Sequence, residues 1–131
     1  MRALIALAPF AILAACETTG SVAQTTAPAG VDATVQMTSA QTFSPNAVTI
    51  RSGETVAFQN ISTFGHSVST EASTPAEQQV TRLPSGAAAF DSGVIAPGET
   101  YTYTFTTPGT YRYFSESQVA NGMVGTVIVN P

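Results

Sequence analysis

The sequence predicts an all-β protein, an antiparallel Greek-key β-sandwich of about seven or eight strands. Three observations predict it. Thr100-Tyr101-Thr102-Tyr103-Thr104-Phe105-Thr106 places an aromatic ring at every second position, which is the period of a strand with one buried face. Further short runs rich in Val, Ile, Thr and aromatic residues are separated by Gly and Pro turn signals. Charge is sparse, with Lys+Arg 4 and Asp+Glu 8 in 131 residues. Ser, Thr, Val and Ala fill the places that charged residues take in helical surfaces.

In chain order, Val35 to Met37 is a plausible first strand. Ala47-Val48-Thr49-Ile50 and Glu54-Thr55-Val56-Ala57-Phe58 flank Arg51-Ser52-Gly53, a turn by composition. Glu71 to Ala89 is the least patterned region. Within it, "EASTPAEQQV" reads either as a helical turn or as part of a long loop. Val94-Ile95, before Pro97-Gly98, is a short strand. In the strand Thr100 to Thr106, Tyr101, Tyr103 and Phe105 share one face and the threonines the other, so the aromatics belong to the core. Pro108-Gly109 turns the chain into Thr110-Tyr111-Arg112-Tyr113-Phe114. Val124 to Asn130 is a final β-rich run.

Before this domain lies a targeting segment. Arg2 supplies a positive start, and "ALIALAPFAILAA" is apolar but short for a membrane span. It ends in Leu13-Ala14-Ala15-Cys16, which resembles the lipobox of bacterial lipoproteins. That resemblance implies lipidation of Cys16 and cleavage before it. The expected organisation is a lipoprotein signal peptide over 1–15, a lipidated Cys16 and flexible tether over 16–30, and a folded domain over 31–131. The tether "ETTGSVAQTTAPAG" is polar, small and without periodicity. Several acyl chains anchor stably, since each buried methylene adds about 0.8 kcal/mol. The expected partners are the membrane, through the anchor, and an envelope protein. The expected place is the cell envelope. Glu17 after the lipidated position, where Asp favours inner-membrane retention in that class, points to the periplasmic face of the outer membrane.

Composition also excludes functions. All four cations are arginines (Arg2, Arg51, Arg82, Arg112) and none cluster in sequence, which argues against a nucleic-acid partner. Cleavage before Cys16 removes Arg2 and leaves 3 − 8 = −5. Cys16 is the single cysteine, so the folded part has neither a disulfide nor a thiolate ligand. No nucleophile elbow, phosphate loop or helical His pair is present, so the chain is not expected to be an enzyme. The acidic residues show no calcium-loop spacing.

"FSPNAVTIRSGETVAFQN" (Phe43 to Asn60), His66-Ser67-Val68, "APGETYTYTFTTPGTYRYF" (Ala96 to Phe114) and "GMVGTVIV" (Gly122 to Val129) together resemble a cupredoxin of the plastocyanin and amicyanin type. The resemblance implies a cupredoxin-like sandwich and one type 1 copper, held by an upstream His and by a Cys, a His and a Met of the C-terminal loop. His66 matches the upstream His and Met123 the axial Met. The Cys position is Ser115 and the second His position is Gln118. Ser117 takes a place that is commonly Pro, and Ser67 one that is often Asn. A hydroxyl does not ionise at neutral pH, so Ser115 is a poor copper ligand. Gln118 offers only a neutral amide oxygen. No cofactor is expected, with copper on His66 and Met123 as the alternative.

Three functions remain in view. One is a lipid-anchored envelope module on a cupredoxin scaffold that has lost type 1 copper. Another is a copper-handling protein with a weak His66/Met123 site. The third is the blue-copper electron carrier that the resemblance by itself implies.

Overall fold

The structure, a computed structural model, describes residues 30–131. The expected signal peptide, Cys16 and nearly all of the expected tether lie outside the described residues. The strands are β1 (Ala33–Met37), β2 (Phe43–Ser44), β3 (Ala47–Arg51), β4 (Glu54–Asn60), β5 (Thr100–Phe105), β6 (Gly109–Phe114) and β7 (Val124–Asn130). Helix α1 (Pro75–Val80) and a 3-10 helix, Glu116–Asn121, complete the described elements.

Two sheets form the sandwich, in the orders β2-β1-β4-β5 and β3-β7-β6. Both are mixed rather than antiparallel, which corrects the expectation. β1 runs parallel to β4, with Val35 opposite Phe58, and β3 runs parallel to β7, with Thr49 opposite Ile128. The cause is the turn at Ser52-Gly53. It does not close a hairpin; it carries the chain from one sheet to the other. Ser52 N–H donates to Asn130 O at 2.7 Å, and Gly53 N–H donates to Phe105 O at 2.7 Å. Gly53 takes φ 93° there, a conformation that favours glycine.

One other local reading changes, and one left open is decided. Val94-Ile95 is not a strand: Ile95 makes a single antiparallel bridge to His66, because Gly93 and the Pro97-Gly98 turn leave no length for a ladder. Of the two readings of "EASTPAEQQV", the helical one holds: Pro75–Val80 forms α1, while the rest of Glu71 to Ala89 carries no helix or strand. Thr74 accepts from Glu77 N–H, the Glu77 carboxylate returns to the Thr74 backbone, and Pro75 opens the first turn.

Parity fills the core. Along β5 the threonines at 100, 102 and 104 are exposed, while Phe105 is fully buried and the two tyrosines are half-buried. Val35, Met37, Val56, Phe58, Phe105, Tyr113 and Val127 are each 0% exposed. Burying such side chains stabilises the fold by about 1.5–3 kcal/mol apiece. Tyr113 stands edge-on to Phe43 at 4.6 Å and to Phe58 at 5.2 Å. Its cross-strand partner is Gly125, where a methyl group would overlap the tyrosine ring and hydroxyl. Phe114 has the opposite parity yet is also buried, and α1 packs against this strand.

Candidate functional site

The site is built where two chain segments meet: the one following β4, and the one joining β6 to β7. Asn60, the last residue of β4, organises the first. Buried at 0% exposure, it donates from Nδ2 to Phe64 O at 2.9 Å and to Ile95 O at 2.8 Å. Its Oδ1 accepts from Ser62 N–H at 2.9 Å and Ser62 Oγ at 2.7 Å. The loop is thus folded back on one buried amide, and it delivers His66 to its bridge with Ile95.

His66 is 1% exposed. Nε2 lies 3.2 Å from Thr38 O. A carbonyl only accepts, so Nε2 carries the proton, and Nδ1 is left as a bare lone pair. Nδ1 is buried and has no hydrogen-bond partner. Burial lowers the His66 pKa from its ordinary value, and the Thr38 contact offsets part of that, so the imidazole is neutral at pH 7.

The next residues tie this segment to the second one. Ser67 N–H donates to Ser115 Oγ at 3.1 Å, and Glu116 N–H donates to Ser67 Oγ at 2.8 Å. Ser69 and Phe114 exchange both backbone bonds, at 2.9 and 3.0 Å. Ser115 is 0% exposed; it continues the inward parity of Tyr111 and Tyr113, as its place in the sequence predicts. Its N–H donates to Met123 O at 3.2 Å, and Gln118 N–H donates to Ser115 O at 3.0 Å. Gly122, at φ 79°, ends the 3-10 helix and turns the chain so that Met123 is buried, at 1% exposure.

Of the sequence-predicted site residues, His66, Ser115 and Met123 are each buried, and hydrogen bonds join Ser67 to Ser115 and Ser115 to Met123. Gln118 does not turn its amide inward. Oε1 accepts from Asn121 Nδ2 at 3.0 Å and Nε2 donates to Ser117 Oγ at 3.4 Å, both exposed contacts. Among the described residues, no group of three or more His, Cys, Asp and Glu comes together. The three buried residues offer one imidazole nitrogen, one thioether and one neutral hydroxyl. Next to Ser115, the Glu116 carboxyl is pushed up, first by burial and then by Asp91, Glu77 and Glu71.

Sequence reasoning missed two organisers. Asn60 closes the β4 loop, and Asn60-Ile61-Ser62, an Asx-turn pattern at a strand end, was the signal for it. The Ser67 hydroxyl is an acceptor as well as a small residue beside His66. No local signal announces that, because its donor lies 49 residues away.

Residues 29–130 match the family model of copper binding proteins, plastocyanin/azurin family. The chain belongs to this family. The plastocyanin of Scenedesmus fuscus is 39% identical over 105 residues, covering 75% of this chain and 99% of that one. The chloroplastic plastocyanin of Oryza sativa subsp. indica is 39% identical over 89 residues, covering 67% of this chain but 54% of its own length. This cupredoxin thus spans about half the length of the rice protein and of the similar one from Hordeum vulgare. Among solved structures, an oxidized mutant of amicyanin superposes with a TM-score of 0.60 at 22% identity, over 80% of this chain and 86% of that chain. A purple cupredoxin from Nitrosopumilus maritimus gives 0.57 at 19% identity, over 76% of this chain and 100% of that one. These two likenesses establish the cupredoxin fold.

Proposed function

We propose that this protein is a lipid-anchored cell-envelope cupredoxin that has lost the type 1 copper centre and acts as a binding or structural module. One observation carries the reading. At the position where the family resemblance calls for a thiolate, the buried group is the Ser115 hydroxyl, whose oxygen accepts from Ser67 N–H at 3.1 Å. A type 1 centre needs a thiolate for charge and soft donation, together with two imidazoles. The site residues offer one imidazole and no sulfur anion, and Gln118 is engaged at the surface. These residues do not fit type 1 copper. Elemental mass spectrometry on protein purified without added metal tests the reading. Sub-stoichiometric copper is expected, and one copper per chain would overturn it.

A second reading rests on His66. Its Nδ1 lone pair is buried and unpartnered, Met123 is buried at the position of the family's axial Met, and a neutral imidazole with a thioether suits weak Cu(I) binding. Cu(I) titration of the native protein and of His66→Ala separates the two readings. Binding that disappears in the variant favours copper handling, and identical curves reject it.

The anchor rests on the lipobox resemblance around Cys16. Release of the chain from membranes by Cys16→Ser is the expected result; the same release from wild type would contradict it. Glu17 supports the outer membrane, to be checked by membrane fractionation. Nothing among the site residues pairs a nucleophile with a base, which supports a role other than catalysis.

A further inference from the structure

The described domain has three cations, Arg51, Arg82 and Arg112, and no lysine, and the fold sets two of the three side by side. Arg82 and Arg112 form an isolated antiparallel bridge and exchange both backbone bonds, at 3.2 and 2.9 Å. Residues paired in this way stand about 5.5 Å apart at Cα, with their side chains on one face. That face is the outer one. Tyr111 and Tyr113, on either side of Arg112, are buried, and Leu83, next to Arg82, packs against the core. Both arginines therefore alternate outward, and both are exposed. Like charges directly opposite weaken a ladder, so the sheet itself has no use for the pair. The strands around it do not offset the charge: β3, β6 and β7 contain no Asp or Glu. Helix α1 packs on β6 and brings Glu77, but the N–H groups of Ser73 and Thr74 hold that carboxylate at 2.7 and 3.0 Å. Outward neighbours in the β6–β7 register are Thr126, opposite Arg112, and Ile128, opposite Thr110; Ile128 is 38% exposed. Arg51 lies on β3, at the other edge of this sheet, where the Glu54 carboxylate accepts its backbone N–H at 2.7 Å.

We propose that the outer face of the β3-β7-β6 sheet, led by the Arg82–Arg112 pair, docks on the anionic phospholipid surface to which the chain is tethered. The inference rests on the proposed lipid anchoring at Cys16, and deepens it by giving the anchored domain an orientation. Three features support it. The first is reach: the segment 16–29 separates the expected anchor from the described domain, and a flexible chain of that length spans roughly 20 Å. The domain is therefore held against the surface at a high effective concentration, which two exposed guanidinium groups need, since each exposed ion pair is weak. The second is charge. With Arg2 removed the net charge is 3 − 8 = −5, so an anionic surface repels most orientations of the domain, and the sheet whose strands lack carboxylates is the one it can accept. The third is donor chemistry: adjacent planar guanidiniums each offer a bidentate fork to phosphate oxygens, with the Thr126 hydroxyl and the apolar Ile128 beside them for the headgroup layer.

The test uses the full chain, extracted from membranes in detergent and reconstituted with vesicles of phosphatidylcholine alone or of phosphatidylcholine mixed with phosphatidylglycerol. Flotation reads attachment. Phenylglyoxal, which modifies accessible guanidinium groups, is followed residue by residue with peptide mass spectrometry. The proposal predicts that the chain floats with both kinds of vesicle, and that Arg82 and Arg112 react threefold or more slowly on the mixed vesicles than on phosphatidylcholine. High salt removes the difference, because the contacts are exposed and screened. Arg51→Gln, which deletes an equal charge at the other edge of the sheet, leaves the slowing at Arg82 and Arg112 in place; its loss in that variant would mean that net charge acts rather than the pair, and would overturn the proposal. If the chain floats with both vesicles and Arg82 and Arg112 react equally on them, docking is overturned while the anchor stands. If the chain floats with neither, the anchor reading fails and docking fails with it. If inorganic phosphate without vesicles slows both arginines to the same extent, the pair is a small-anion site and the lipid-surface proposal is overturned.

Discussion

His66 and Tyr113 each bury a polar atom without a partner, and their consequences differ. In His66 the orphan is a lone pair, and burial lowers the pKa. The unfolded chain therefore takes a proton near pH 6.5 while the fold resists it. Stability is expected to be fully present above that pH and to fall as pH drops below it. Denaturant unfolding at several pH values, compared with His66→Gln, checks the sign; a wild type whose stability is flat from pH 7.5 to pH 5, like that of the variant, contradicts it. In Tyr113 the orphan is a hydroxyl in an aromatic cage, and desolvation raises its pKa. Tyr113→Phe removes an unsatisfied group and keeps the edge-on contacts, so it should be neutral or stabilise by up to about 1 kcal/mol. Gly125→Ala should cost about 1–3 kcal/mol, because the added methyl overlaps that tyrosine. Urea midpoints measure both. The burial of His66, Ser115 and Met123 was legible from their place in the ordered runs of the sequence. The outward turn of Gln118 was not, because it depends on how the 3-10 helix places a side chain beside Asn121.

At the scale of elements, the aromatic periods of β5 and β6 were legible because one buried face forces alternation. Pairing direction was not, since alternation is identical in parallel and antiparallel partners. The Ser52-Gly53 crossover that decides it depends on Asn130 and Phe105, which are remote in sequence. Helix α1 was partly legible: Thr74, Pro75 and Glu77 spell a capping box, but six residues are too few to show a helical period. Thr74→Ala should cost about 1 kcal/mol. Glu77, whose pKa is lowered first by the backbone N–H groups of Ser73 and Thr74, stabilises the cap above its unfolded pKa. That contribution is lost as pH falls through the folded value. One pairing works against the sheet: Arg82 bridges directly to Arg112, placing like charges opposite each other on exposed positions. Arg82→Glu should turn repulsion into attraction and gain roughly 0.5 kcal/mol; a destabilised variant in urea would contradict this.

For the whole molecule, the cupredoxin sandwich packs around one aromatic and aliphatic core. The core residues come from both sheets, and hydrophobic burial of this extent stands without a ligand contribution. On the proposed reading, a fold held by its core can change its donor residues without unfolding, as Ser115 and Gln118 would have done. His66 has an unpartnered Nδ1 and Met123 is buried, so on the proposed reading supplying a thiolate and a second imidazole should create a centre. Ser115→Cys combined with Gln118→His is expected to give intense visible absorption with Cu(II); a colourless double variant would mean that the 3-10 helix no longer presents position 118 to the site. Family membership was legible in the ordered runs from Phe43 to Val129, whereas the pairing of Arg82 with Arg112 was legible only in three dimensions. The most direct measurement is a Cu(II) and Cu(I) titration of the purified wild-type chain, followed by visible absorption and calorimetry. The account predicts no intense visible band and no stoichiometric binding at micromolar copper. One tightly bound copper per chain, with strong visible absorption, would contradict it.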